Sequence, residues 1–331
     1  MNENKRKAKA LGLCSGGLDS TLAGVVLKRQ GVDVVWVAFE TPFFNAARAK
    51  KASEATGIPL VVRDITERYL PMLKNPPAGY GRQMNPCMDC HALMFRIAGQ
   101  MMDEIGADFL FSGEVTGQRP MSQTRSSLRY VEKHSGFDGL ILRPLSAKRL
   151  PETEMEKTGL VDREQLLDFS GRSRKPQIAL AESLGITDYP APAGGCLLTD
   201  PNFSRRARDL IDSVPDAGKT DFLLLGHGRY IRISSDAKLV VGRNKSDNAM
   251  LLSLYRPELD VKIFMHDVPG PVGLVPRGGP DPDVQTAAAL CAGYTRAPAD
   301  RPVGVQIESP KGKSHLEVIP LKAAHAGLEV I

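Results

Sequence analysis

The first 150 residues alternate short apolar runs with stretches of helical spacing. Ala8 to Cys14 is apolar and strand-like, Ser15-Gly16-Gly17 breaks it, and Asp19 to Gln30 predicts a helix. Asp33 to Glu40 is β-branched and apolar enough for a buried strand. Asn45 to Thr56 carries Ala and Lys at helical spacing, and Leu60 to Arg63 predicts a third strand. Ala92 to Ile105 reads as a helix, and Asp108 to Phe111 and Gly139 to Arg143 read as further strands. Such alternation predicts an α/β fold, an open parallel sheet with helices on both faces.

The pattern changes near residue 200. Ser204 to Ser213 predicts a helix, and Phe222 to Leu225, Tyr230 to Ser234 and Lys238 to Val241 predict closely spaced strands suited to antiparallel pairing. A helix over Asn244 to Leu254 and a strand over Asp260 to Met265 follow. Between Pro269 and Pro282, nine of fourteen residues are Gly or Pro, which predicts a loop or linker. The expected division is therefore a catalytic domain over 1–200, a smaller α+β module over 201–268, and a linker with a terminal α/β segment over 269–331.

At 331 residues the chain exceeds one typical domain, in keeping with that division. No apolar run approaches the roughly 20 residues of a membrane helix. The charged start, Met-Asn-Glu-Asn-Lys-Arg-Lys, is no signal peptide, so a cytoplasmic protein without a membrane partner is expected. The formal charge is +5, and the segment from Arg119 to Arg149 holds seven basic residues against two acids. Such a stretch suits a polyanion such as RNA, or else a solvated helix face. Gly171 to Lys175 and Ser204 to Arg208 form further basic clusters, and Gly117 to Gln123 is a polar loop suited to substrate or nucleotide.

Ser15-Gly16-Gly17-Leu18-Asp19-Ser20 stands between the first strand and the first helix. Glycines let the backbone approach a ligand closely, and helix-start N–H groups with the Ser15 and Ser20 hydroxyls can bind phosphate oxygens. The ending Gly-Lys-Ser/Thr of the Walker loop is absent. The segment resembles the PP-loop signature Ser-Gly-Gly-x-Asp-Ser of the ATP pyrophosphatase superfamily, which cleaves ATP between the α- and β-phosphates and adenylates a substrate oxygen. That resemblance implies ATP and Mg²⁺ as cofactors, with Ser15, Gly16, Gly17, Asp19 and Ser20 at the phosphates and Asp19 near Mg²⁺ or pyrophosphate. It further implies Phe39 and its neighbours beside the adenine. Ser112-Gly113-Glu114 occupies the place of a later loop that closes on the phosphates.

Five cysteines are too few and too odd in number for a secreted disulfide framework. Cys14 and Cys291 fit apolar core positions. Cys87-Met88-Asp89-Cys90, on a turn ahead of a helix, and Cys196, after Gly194-Gly195, can converge on one centre. Three thiolates could hold a [4Fe–4S] cluster with one open iron, form a persulfide relay between Cys90 and Cys196, or bind structural zinc with His91 as fourth ligand. Asn85-Pro86-Cys87-x-x-Cys90 and Gly195-Cys196 resemble the two catalytic-cysteine segments of bacterial tRNA 2-thiouridylases. Some of those enzymes carry Asp where Cys87 stands. All three cysteines together resemble the cluster-dependent tRNA thiolation enzymes related to 4-thiouridine synthetases. The stretch Asp221 to Leu254, with Gly242-Arg243-Asn244, resembles a small RNA-binding module of ribosome-associated quality-control proteins, where Arg243 and Lys245 could meet phosphate.

These resemblances imply an adenylating tRNA sulfurtransferase with Cys87, Cys90, Cys196 and Asp19 as catalytic residues and the three cysteines as metal ligands. Its partners would be tRNA and a sulfur donor, either free sulfide or a carrier, with room for a homodimer. A small-molecule PP-loop ligase with a zinc site is the alternative from another class.

Overall fold

The computed structural model describes residues 7–191 and 195–331. Two compact units meet at Thr199/Asp200. In the first, the chain runs β1 (Lys9–Leu13), α1 (Leu18–Arg29), β2 (Asp33–Glu40), α2 (Ala47–Thr56), β3 (Leu60–Asp64), α3 (Thr66–Lys74), α4 (Cys87–Gln100), α5 (Met102–Ile105), β4 (Phe109–Ser112), α6 (Arg125–Ser135), β5 (Ile141–Leu142), α7 (Glu154–Lys157) and α8 (Lys175–Ser183). The five strands pair in parallel in the order β3-β2-β1-β4-β5.

One face of this sheet buries Trp36, Phe109 and Phe111 against Leu18, Leu22 and Val26 of α1 and Ala181 of α8. Close approach is built into the sequence here, because a Cβ on Gly24 would overlap the Trp36 indole and one on Gly12 the Phe111 ring. Helix α4 packs on β1 and β4 and carries α3 and α6 beside it. Strand order reverses between β1 and β4: successive strands step outward through β2 and β3 on one side, then β4 and β5 on the other. In open α/β sheets the crevice at such a reversal, beyond the carboxyl ends of the strands, is where ligands bind.

The second unit comprises α9 (Pro201–Ser213), α10 (Lys219–Leu224), β6 (Arg229–Arg232), β7 (Lys238–Val241), α11 (Lys245–Leu254), β8 (Val261–Met265), β9 (Gly273–Val275), α12 (Asp281–Ala292), β10 (Val303–Ser309) and β11 (Gly312–Val318). Its six strands form one antiparallel sheet, β11-β10-β8-β9-β7-β6. Ala287, Ala288, Leu290 and Cys291 of α12 pack into Leu239, Ile263 and Val305 of the sheet.

Three expectations fail here. Phe222 to Leu225 lies in and just after helix α10, where Phe222 and Leu224 are buried; a short apolar run carries no period that separates strand from helix. The Gly/Pro-rich stretch 269–282 contains β9, an interior strand whose Gly273 has no room for a Cβ beside the Cys291 sulfur. Residues 269–331 therefore complete the same sheet as 229–265 rather than standing apart as a linker and terminal segment.

Candidate active site at the carboxyl ends of the parallel strands

Beyond Leu13 the chain turns sharply through Gly16, whose φ is +69° and whose Cβ would overlap the backbone of Arg48 and Ala49. Only glycine fits there. Gly17 opens α1, and its carbonyl accepts from the Ser20 hydroxyl (2.9 Å), the Thr21 hydroxyl (3.0 Å) and the Thr21 N–H (3.1 Å). Around Gly17 itself only the Ser15 Oγ comes near, so the first turn of α1 is open for an anion, and Ser15 is exposed at its edge.

From the other side of the crevice comes Gly113, just past β4. A Cβ there would overlap the backbone of Asp19 and Ser20, so the end of β4 rests directly on the first turn of α1. The Ser112 hydroxyl, expected at the nucleotide, instead donates to Glu114 Oε2 (3.0 Å) and is buried. Phe39, expected at the adenine, is buried in β2, which leaves its backbone rather than its ring for a ligand.

Asp19 Oδ2 accepts from the Gln118 amide (2.8 Å), whose own oxygen accepts from the buried Gln177 on α8 (3.1 Å). Asp19 Oδ1 is buried and has no partner. Burial pushes the Asp19 carboxyl up, opposed by the Gln118 hydrogen bond and by the Arg174 and Arg119 guanidiniums. Thr116 Oγ1, Gln123 Oε1, Gln177 Oε1 and Arg174 Nε are likewise buried without partners. Carboxylate and amide oxygens left open beside a phosphate-sized cradle fit a hydrated Mg²⁺, and two guanidiniums fit the phosphates it would bridge. Arg119 and Gln118 belong to the polar loop singled out in the sequence. Gln177 carried no signal at all, and Arg174, expected with the tRNA backbone, faces Asp19.

The cysteine pair occupies the first turn of α4 rather than a turn ahead of it, with Cys90 N–H donating to Pro86 O (2.8 Å) and the Asn85 amide donating to Cys87 Sγ (3.2 Å). Spacing i, i+3 puts both sulfurs on one helix face. Cys196 precedes a short 3₁₀ turn, Leu197–Thr199, which is tied to the segment after β2 by Leu197 N–H to Phe43 O (2.9 Å). Gly194, expected beside Cys196, lies outside the described residues, and Gly195 adjoins Cys196 with open space at its Cα.

All three thiols come within electrostatic reach of the fully buried Tyr69, whose hydroxyl lacks a partner in hydrogen-bond geometry although Cys90 is among its polar neighbours. Burial pushes the Cys90 thiol well up, and the charges of Cys196 and Cys87 push it further. Cys196 is pushed up to about 12 by burial, against a backbone hydrogen bond from Leu198. Among the described residues no group of three His, Cys, Asp or Glu side chains is close enough to hold a metal ion as placed. Cys14 and Cys291 are core residues, both buried and pushed up to about 11 and about 12.

Between the two centres lies Glu114. It is buried and bonded to His91 Nδ1 (2.7 Å) and to Arg143 Nε (3.0 Å). Burial alone would raise its carboxyl, but Arg143 and His91 hold it down to about 2. His91, the fourth ligand of the zinc reading, thus gives one ring nitrogen to Glu114. Arg143 leaves the expected polyanion footprint, since it is buried and also pairs with Glu132. Arg129, Lys148 and Arg149 likewise face Asp138, Glu164 and Asp168.

Residues 6–150 match the family described as thiamine biosynthesis protein (ThiI), and residues 228–328 match the NFACT protein RNA binding domain. The ThiI match lies within the first unit and the NFACT match within the second. Among curated relatives, a tRNA-specific 2-thiouridylase MnmA 2 of Thermoanaerobacter sp. (strain X514) is 28% identical over 218 residues, 59% of this chain and 56% of its own length. The MnmA of Methylobacterium nodulans is 31% identical over 124 residues, 32% of each chain. A solved 4-thiouridine synthetase–RNA complex with bound ATP is 22% identical, covering 54% of this chain and 52% of that one, with a TM-score of 0.34. The chain spans little more than half the length of the first of these relatives. Within the first unit, Ser15 to Ser20 and Gly113 form the crevice wall at which the PP-loop resemblance implies a nucleotide, hereafter the nucleotide wall. In the second unit, Arg243, expected at phosphate, is tied to Asp247 (2.6 Å), and Asn244 caps α11. Arg206 donates to the Leu225 and Ile331 carbonyls. No helix among the described residues is long and apolar enough to cross a membrane.

Proposed function

We propose that the protein is an ATP-dependent tRNA thiouridine synthetase. The observation that carries this reading is the gathering of Cys87, Cys90 and Cys196 around Tyr69 in the unit whose PP-loop stands at the sheet's switch point. In the first step a uridine carbonyl oxygen attacks the α-phosphorus of ATP, and pyrophosphate leaves. Asp19, with Mg²⁺, and Arg119 and Arg174 neutralise the charge building on that leaving group. A sulfur nucleophile then attacks the activated carbon, and AMP departs with the former carbonyl oxygen.

The cysteines suit two sources of that sulfur. A [4Fe–4S] cluster held by Cys87, Cys90 and Cys196 would supply an open iron that presents sulfide. In the relay form, Cys196 carries a persulfide whose terminal sulfur passes to the uridine while Cys90 displaces it, leaving a Cys90–Cys196 disulfide for an external thiol to reduce. The three cysteines are half-buried, and His91 with Glu114 holds α4 against the nucleotide wall. The RNA-binding unit would contribute to tRNA capture.

The test is ATP-dependent thiolation of tRNA by anaerobically purified protein, with nucleoside mass spectrometry and iron and sulfide analysis. Thiouridine formation together with AMP and pyrophosphate is expected. ATP turnover on a small substrate without tRNA would sink the reading, and a colourless, iron-free, fully active protein would sink its cluster form.

A further inference from the structure

The second unit has an open-mouthed cavity of about 310 Å³ that none of the chemistry above uses. That volume is at the lower end of the roughly 300–1,000 Å³ of small-ligand sites. Its walls come from the end of α9 (Leu210), the turn after it (Val214), α10 (Leu224), the β6–β7 turn (Ser235) and the turn at Arg277. The lining is thus an apolar floor with charged groups placed on it.

Those charges discriminate. Three carboxylates, Asp216, Asp221 and Asp236, line the cavity against two cations, Lys238 and Arg277. Both cations are engaged: Lys238 Nζ with the Ser213 hydroxyl and Asp209, Arg277 with Asp216 (2.9 Å) and Asp221 (3.1 Å). A phosphate would find an excess of negative charge. A flat, uncharged group with N–H donors would find carboxylates to accept them. Asp216 is 76% exposed at the side chain and Asp236 is exposed, so both can turn toward an occupant.

Arg277 supplies the second observation. It is the one non-glycine with positive φ among the described residues, at +64°, held there by its N–H to Asp260 Oδ1 (2.9 Å), and its Nε is buried without a partner. Strain retained at a cavity wall, where glycine would be easier, points to a role for the side chain. The unit matches an RNA binding domain, which narrows the occupant.

We propose that this cavity receives one unpaired nucleobase of bound RNA, with the base against the Leu210, Val214 and Leu224 floor, its amino group to Asp216 or Asp236, and its phosphate left outside. The proposal rests on the unit's RNA binding but not on thiolation.

The test uses the full chain and fluorescence anisotropy with three probes: single-stranded RNA of mixed sequence, the same strand made abasic, and its duplex. Ser235→Trp plugs the mouth from an exposed turn, and Arg277→Gly removes the guanidinium while relaxing the backbone. Each variant should bind the single strand ~10-fold more weakly, with an unchanged salt slope and unchanged affinity for abasic and duplex RNA. Equal weakening on abasic RNA, or none on the single strand for Ser235→Trp, overturns it. Displacement of the single strand from wild type by spermine, but not from Ser235→Trp, would also overturn it in favour of an amine site. If the wild type binds no RNA at all, it is the RNA-binding reading that falls.

Discussion

The two units treat buried polarity in opposite ways. Among the described residues, nine of the eleven buried side-chain polar atoms without hydrogen-bond partners lie in the parallel unit, and six of those nine belong to the nucleotide wall or the cysteine centre. In the antiparallel unit, charge is buried in closed sets: Asp221 and Asp260 are shared between Arg256 and Arg277, with the Gly218 N–H on Asp221 as well. Unsatisfied atoms in a native interior call for an explanation. In the first unit six of them line the proposed ligand sites, whereas the second unit holds its shape by its own ion pairs.

Cys196→Ala is expected to lower tRNA thiolation on the order of 10³-fold with RNA affinity unchanged, measured by nucleoside mass spectrometry and anisotropy on the same preparation. Asp19→Ala should lower pyrophosphate release by about 10²-fold or more while raising the thermal midpoint without nucleotide, because a carboxyl with one buried, unpartnered oxygen is removed. A fall in both quantities would mean that Asp19 is structural.

In the second unit the opposite holds. Asp221→Ala breaks a buried pair and should cost about 3–5 kcal/mol in unfolding of that unit, with ATP turnover intact. His91→Gln sharpens the picture within the first unit: thiolation should fall ~10-fold at an unchanged KM for ATP, since only the link from Glu114 to the cysteine helix is altered. Equal losses in both half-reactions would deny the link.

The smallest effect is on acid stability. The Arg243 hydrogen bond holds Asp247 down to about 2 from an ordinary 3.8, so its stabilisation is complete above about 3.8 and is lost as pH falls through 2. Asp247→Asn should flatten the midpoint of the second unit across that window.

Local backbone chemistry was readable from sequence. The β1–glycine–α1 segment and β2 lie where periodicity puts them, because Gly16 and Gly17 mark a turn that no other residue pattern makes as easily. Tertiary partnerships were not. Nothing local marks Gln177 as the support of Gln118, and Arg143 reads as one more basic residue until β5 brings it beside Glu114. Helix α12 begins at Asp281-Pro282, so the proline that seems to end a loop is a first-turn residue of the helix. A meeting of Cys87, Cys90 and Cys196 was legible only as a possibility from the Cys-x-x-Cys spacing and the glycines before Cys196, since more than a hundred residues separate the pair from the third.

Gly113 has a consequence for the order in which the protein is made. The nucleotide wall needs Asp19 on one side and the end of β4 on the other, and the Gln118 amide that secures Asp19 is 99 positions further along the chain. A nascent chain that has released only β1 to β3 has the signature loop but no pocket for it, and β1 remains an unpaired sheet edge until β4 arrives. On the proposed reading, ATP affinity is therefore a property of high contact order, absent from any early intermediate. A nucleotide that binds only the finished sheet stabilises completed folding by mass action, in proportion to the logarithm of its concentration.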